Sequence, residues 1–138
     1  MTERWLPVVG WEGLYEVSDQ GRVRSLGREI ARRGFPYRVK PKVMKPTVGC
    51  TSRSPKGYLG VTLTPLEGGG RRYLVHQLVL TAFRGRRPKG REGAHSNGDH
   101  FCNRLSNLAW KTPKENSRDA VRHGVRRRES GRFVRVYA

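Results

Sequence analysis

Cysteine is scarce in this chain, and long apolar runs are missing altogether. Only Cys50 and Cys102 occur, with no Cys-x-x-Cys pair, so a structural zinc site of the usual kind is not expected. Two isolated cysteines read as reduced thiols of an intracellular protein, and a disulfide cannot be argued from them alone. No apolar stretch approaches the ~20 residues that a membrane-spanning helix needs. The N-terminus, MTERWLPVVGWEG, has neither the basic nor the apolar region of a signal peptide, so the cytoplasm is the expected compartment. Hydrophobic residues make up only 35% of 138 positions, which favours one ordinary domain or two small ones over a single large core. Acidic residues are also few: 11 Asp and Glu stand against 29 Lys and Arg.

What is abundant is positive charge and turn residues. The formal net charge is +18, and it is unevenly spread. Residues 1–25 hold Arg4, Arg22 and Arg24 against Glu3, Glu12, Glu16 and Asp19, a balance of −1; the remaining 26 basic and 7 acidic residues give +19. Such a field draws polyanions and makes their binding salt-sensitive. On charge alone, a DNA-binding protein, an RNA binder and a lipid-surface binder without chemistry all stay open. The 17 glycines and 8 prolines favour many turns over long helices.

Along the chain, Leu14–Val17 reads as a short strand, Ser18-Asp19-Gln20-Gly21 as a turn, and Arg22–Leu26 as an alternating strand. Trp5 and Trp11 are expected to cap this small β unit. Residues 27–57 are basic and punctuated by Pro36, Pro41, Pro46 and Pro55; they read as an irregular linker or extended arm, with an edge strand possible around Arg38–Met44. Tyr58–Thr64 and Arg72–Val75 read as two strands joined at Glu67-Gly68-Gly69-Gly70. Leu78, Val79, Ala82 and Phe83 share one helical face, and Gly85 followed by Pro88 ends that helix. His76, at its start, reads as a structural hydrogen-bonding residue.

The richest segment is Glu92–His123. A short strand ends at His95, a loop contains Asn97-Gly98-Asp99, and Leu108-Ala109-Trp110-Lys111 gives a returning strand. Thr112-Pro113-Lys114-Glu115 then carries a helix N-cap, a proline at the first helical position and the Glu of a capping box. The helix is expected to run to about His123 and stop at Gly124. Trp110, Phe83, Leu78, Leu105, Leu108 and Val121 are expected to pack it against the hairpin. A neutral histidine can accept a proton near neutral pH, as cutting a phosphodiester requires. Asn107, twelve positions after His95, could brace the loop and hold the imidazole. Asn116, twenty-one positions after it, lies in the first turns of the helix with Asp119, Ala120 and His123 on the same face. Amide and carboxylate oxygens suit Mg²⁺.

Four motifs carry a resemblance: His76-x-Leu-Val-x-x-Ala-Phe, His95-x-Asn-Gly-Asp, Asn103-Arg-Leu-x-Asn-Leu-x-Trp and Thr112-Pro-x-Glu-Asn. Together, over residues 58–124, they resemble the HNH endonucleases of phage and homing type. Trp5-x-Pro, Gly10-x-Glu-Gly-x-Tyr-Glu-Val-Ser and Gly21-Arg-Val-Arg-Ser resemble the small modular domain that often precedes such nucleases and helps bind DNA. The resemblance implies an α+β protein: an N-terminal β module with basic linker (1–50), then a ββα-metal nuclease domain with a basic tail (51–138). It implies hydrolysis of double-stranded DNA by nicking or cutting, one divalent ion per site (Mg²⁺ or Mn²⁺), no small-molecule cofactor and no membrane. A bacterial host cytoplasm and a phage or mobile-element origin follow from it too; phage-packaging or mobile-element partners have no signal here. His95 would be the general base, Asn107 the loop-supporting asparagine and Asn116 a metal ligand. Phosphate contacts are expected from Arg22, Arg24, Arg84, Arg86, Arg87, Arg91, Arg104, Arg118 and Arg122, and from Arg126, Arg127 and Arg128 in the tail.

One position departs from the family. Where many members carry an aspartate or histidine ligand just before the base, this chain has Ala94. Asp99, His100 or His123 could be recruited instead, the metal site could be weakened or lost, or the chain could be an engineered inactive form that keeps DNA binding.

Overall fold

The computed structural model describes residues 2–124 except residue 53, and beyond them the backbone of two strands, Arg126–Glu129 and Arg132–Arg135. The chain opens with β1 (Trp5–Pro7), β2 (Tyr15–Ser18) and β3 (Val23–Ser25), paired antiparallel in that order. Val17 lies opposite Val23, and both are buried. Between them the Ser18 hydroxyl accepts from the N–H groups of Gln20 and Arg22, at 3.2 and 3.1 Å. Gly21 takes a φ of +82°, a conformation that favours glycine. This strand–turn–strand agrees with the sequence reading to within a residue or so.

The stretch 27–57 does not behave as an irregular linker. β4 (Arg28–Arg32) and β5 (Phe35–Val39) form a two-stranded ribbon, β6 (Lys42–Val43) returns to pair with β3, and β7 (Thr47–Thr51) pairs with β8 (Ser54–Leu63). Arg33 and Gly34, at φ +52° and +81°, make the tight turn of the ribbon. The prolines hid these strands. Pro36 sits within β5, where a two-stranded ribbon is all edge and tolerates a missing N–H. The apolar face of the ribbon, Phe35, Tyr37 and Val39, is not buried in the core, and Phe35 remains 74% exposed.

β9 (Arg71–Leu74) completes the antiparallel sheet β7-β8-β9 and runs directly into α1 (Val75–Arg84). No side chain caps the start of α1; burial of Val75, His76, Leu78, Val79 and Leu80 holds it in place. Gly85 ends it at φ +84°. β10 (Glu92–His95) and β11 (Leu108–Lys111) form an antiparallel hairpin, and a 3₁₀ turn at Leu105–Asn107 leads into β11. α2 (Pro113–Arg122) starts with the expected capping box: the Thr112 hydroxyl accepts from the Glu115 N–H, and Glu115 accepts from the Thr112 N–H at 2.8 Å. The tail strands β12 (Arg126–Glu129) and β13 (Arg132–Arg135) pair antiparallel; the side chains of Arg126, Arg127 and Arg128 lie outside the described residues.

The architecture is α+β, a β module followed by a ββα unit. A single buried cluster joins Val8, Tyr15, Val17 and Val23 to Val61, Leu63, α1, Leu105 and Leu108. Trp11, Phe83 and Trp110 pack on its margin, and Trp11 meets Tyr15 and Tyr73 edge-on. Val121 departs from expectation: it is 40% exposed, because α2 turns its Asp119 side toward the hairpin.

Candidate active site

The β10–β11 hairpin and α2 enclose a cavity of about 80 Å³. Gly93, Ala94 and His95 line it from β10, and Asn116, Asp119, Ala120 and His123 from α2 and its C-cap. Gly98, His100 and Tyr58 close it. The loop after His95 is built to a fixed shape. Ser96 N–H donates to the Asn107 carbonyl at 2.8 Å, and Gly98 N–H to the His95 carbonyl at 3.1 Å. Gly98 takes φ +77°, and a β-carbon there would come within 2.9 Å of the His123 ring.

Asn107 clasps this loop. Its amide oxygen accepts from Asn97 N–H at 3.0 Å, while its NH₂ donates to Asn97 Oδ1 and to the Cys102 carbonyl, at 3.0 and 2.9 Å. The bracing role read from the sequence is therefore present, but the grip on the imidazole belongs to another residue. His95 Nε2 donates to Asn103 Oδ1 at 2.8 Å, with both side chains buried. Asn103 stands in a motif that the sequence made conspicuous, yet its backbone-distant partner could not be inferred from spacing. Since the amide oxygen only accepts, Nε2 carries the proton and Nδ1 keeps its lone pair.

Three rings surround the base: Tyr58, His76 and His100. Tyr58 stacks on His100 with centroids 4.4 Å apart, and His76 lies 4.9 Å and His100 5.6 Å from His95. Burial lowers the His95 pKa, opposed by the Asn103 hydrogen bond and reinforced by His100. Burial first, then His95 and His100, hold His76 down to about 3. His76 is thus neutral, and its buried Nδ1 has no hydrogen-bond partner among the described residues. The ring packs closely on β10: a β-carbon on Gly93 would meet it at 2.8 Å.

The donors for a cation are few. Ala94 is 3% exposed and offers only a methyl group. Asp119 is ion-paired to Lys111 and, at 2.9 Å, to Arg122, which keeps its carboxyl below the usual range. Asp99 does not line the cavity; its carboxylate accepts from Phe101 N–H at 2.9 Å and shapes the turn. His100 lines it, with Nδ1 donating to the Gly57 carbonyl at 3.1 Å. Asn116 Nδ2 donates to Glu92 Oε1 at 2.5 Å, which leaves its own oxygen for a cation. Among the described residues no three His, Cys, Asp or Glu side chains are grouped to hold a metal. These donors fit an ion that arrives with phosphate oxygens and water, as Mg²⁺ commonly does, rather than one caged by protein alone.

The arginines divide into two sets. Arg22 pairs with Glu3, and Arg24 with Glu16 at 2.6 Å, while both lie over the Trp5 ring. Arg122 is held by Asp119, and Arg91 donates to the Trp110 carbonyl at 3.3 Å. Arg84, Arg86, Arg87, Arg104 and Arg118 are exposed and form no ion pair among the described residues.

Comparison with known proteins shows what these features resemble. Residues 3–64 match the NUMOD4 motif, and residues 73–118 match the HNH endonuclease family. The chain is 36% identical over 87 residues to the SPbeta prophage-derived putative HNH homing endonuclease YosQ of Bacillus subtilis, covering 63% of this chain and 49% of that protein. It is 29% identical over 124 residues to an uncharacterized HNH endonuclease of Acanthamoeba polyphaga mimivirus, covering 87% of this chain and 26% of the relative. Its structure matches that of the HNH homing endonuclease I-HmuI, described for DNA binding and cleavage, with a TM-score of 0.66 and 29% identity over 88% of this chain and 59% of the other. The chain thus spans about half or less of the curated relatives it matches.

Proposed function

We propose that this chain, which matches the HNH endonuclease family over residues 73–118, hydrolyses phosphodiester bonds of double-stranded DNA, with His95 as general base. The observation that carries the reading is His95 itself: a buried imidazole, fixed through Nε2, beside the cavity of about 80 Å³ shared with α2. Nδ1 takes the proton of an attacking water. Because burial lowers its pKa, the ring is in the accepting form at neutral pH. Asn107 keeps the loop from sagging away from the scissile phosphate. The relatives above are all named as endonucleases, which favours chemistry over binding alone.

HNH nucleases generally use a divalent metal. Here Asn116 would hold the ion, with His123 a further donor lining the cavity; Mg²⁺ or Mn²⁺ would supply charge stabilisation at the phosphate when bound. We assign phosphate contacts first to Arg84, Arg86, Arg87, Arg104 and Arg118, and treat residues 1–50 as the DNA-holding part and 51–138 as the cutting part. The paired Arg22, Arg24, Arg91 and Arg122 engage DNA only by exchanging an internal partner.

The test is nicking of supercoiled plasmid in Mg²⁺ or Mn²⁺, with EDTA as control. His95→Ala should lose on the order of 10²–10⁴-fold in rate, the usual worth of a positioned base, while shifting duplex DNA in gels as the parent does. Cutting that survives EDTA or His95→Ala would sink the mechanism.

A further inference from the structure

The N-terminal module reaches the base directly, through the loop that carries Asn103. Leu105 N–H donates to the Asp19 carbonyl at 2.9 Å, tying that loop to the β2–β3 turn. Gly21 of the same turn lies hard against Asn103: a β-carbon at Gly21 would stand 2.7 Å from the Asn103 carbonyl oxygen and 2.8 Å from its own β-carbon. The turn is stiff. Ser18, fully buried, ties two of its N–H groups, and Asp19 is bonded to Arg4 through both backbone and side chain. On the other side, Asn103 is 5% exposed and hydrogen-bonds the imidazole.

We propose that Asn103 is the positioning residue of the active-site histidine, and that the Asp19–Gly21 turn of the N-terminal module is the wall that sets it. Asn103 selects the tautomer with the proton on Nε2 and so presents Nδ1 to the cavity. The N-terminal module, beyond any contact with DNA, is then part of the catalytic geometry. Gly21 is needed twice over, for its positive φ and for the missing side chain that lets Asn103 close in. The inference rests on His95 being the general base, but its first readout does not.

The experiment is long-range ¹H–¹⁵N correlation of the histidine rings in the full ¹⁵N-labelled chain, paired with plasmid-nicking kinetics and a thermal melt for each variant. The parent should show His95 protonated on Nε2. Asn103→Ala should lose that preference, whereas Asn103→Asp, which keeps an acceptor oxygen, should retain it. Gly21→Ala should behave as Asn103→Ala does. Gly68→Ala, between β8 and β9 with a positive φ of +99° and no atom nearer than 3.9 Å, is the strain control and should match the parent. In nicking, Asn103→Ala and Gly21→Ala should lower kcat on the order of 10–100-fold with KM and gel-shift affinity unchanged, as a misplaced catalytic group does. A parent ring protonated on Nδ1, or an unaltered tautomer in folded Asn103→Ala and Gly21→Ala, overturns the proposal. If the parent itself fails to nick, the nuclease reading falls, while the tautomer spectra still decide the positioning role.

Discussion

At the scale of the residue, two imidazoles with the same burial do different work. His95 has a hydrogen-bond partner and a cavity; His76 has neither for its Nδ1 among the described residues and stays neutral to about pH 3. The consequence for stability has a definite sign. In the unfolded chain His76 titrates near the ordinary 6.5, so between 6.5 and about 3 the unfolded state binds more protons. The contribution is complete above pH 6.5 and falls as pH drops, at about 1.4 kcal/mol per pH unit. Urea unfolding between pH 4.5 and 6.5 should therefore be flatter in His76→Phe than in the parent; equal slopes would refute the assignment. Ala94 is the other decisive residue. Its β-carbon already lines the cavity beside Asn116, so Ala94→Asp should create Mn²⁺ binding detectable by calorimetry in the free protein and raise metal-dependent nicking. No gain in either measurement would show that the position is irrelevant to the metal.

At the scale of the element, α2 is the piece most plainly written in the sequence. Thr112, Pro113 and Glu115 dictate its start through local hydrogen bonds, and Gly124 follows its end at φ +71°. Thr112→Ala should cost about 1 kcal/mol in urea unfolding, the usual worth of such a cap. A change below a few tenths would mean that packing alone holds the helix. The β4–β5 ribbon is the opposite case. Phe35, Tyr37 and Val39 alternate in it, but Pro36 interrupts the signal and cross-strand backbone pairing, which composition does not reveal, defines it. Val121 was misplaced for a related reason: helical periodicity identifies a face but not which face a neighbour covers.

At the scale of the whole molecule, the +18 charge is not uniformly available. Arg22 and Arg24 are spent on Glu3, Glu16 and Trp5, whereas Arg84, Arg86, Arg87, Arg104 and Arg118 project outward. Duplex binding should weaken steeply with salt, and each phosphate contact adds ~0.9 to the slope of log K against log salt. Removing Arg86 and Arg87 together should reduce that slope by roughly two. Arg24→Ala should leave it unchanged. A slope lowered by Arg24→Ala would show that its ion pair opens on DNA.

The sequence by itself carried the resemblance to HNH endonucleases, the α+β class, the hairpin-and-helix frame and the positions of His95, Asn107 and Asn116, because each depends on local turn chemistry, capping or a motif of short span. Tertiary structure alone decided that Asn103 holds the imidazole, that Asp99 faces away while His123 lines the cavity, and that the turn around Gly21 backs the site. Those pairings join residues distant in sequence or turned by loop geometry. They follow from which surfaces pack in three dimensions, and spacing along a chain does not encode that.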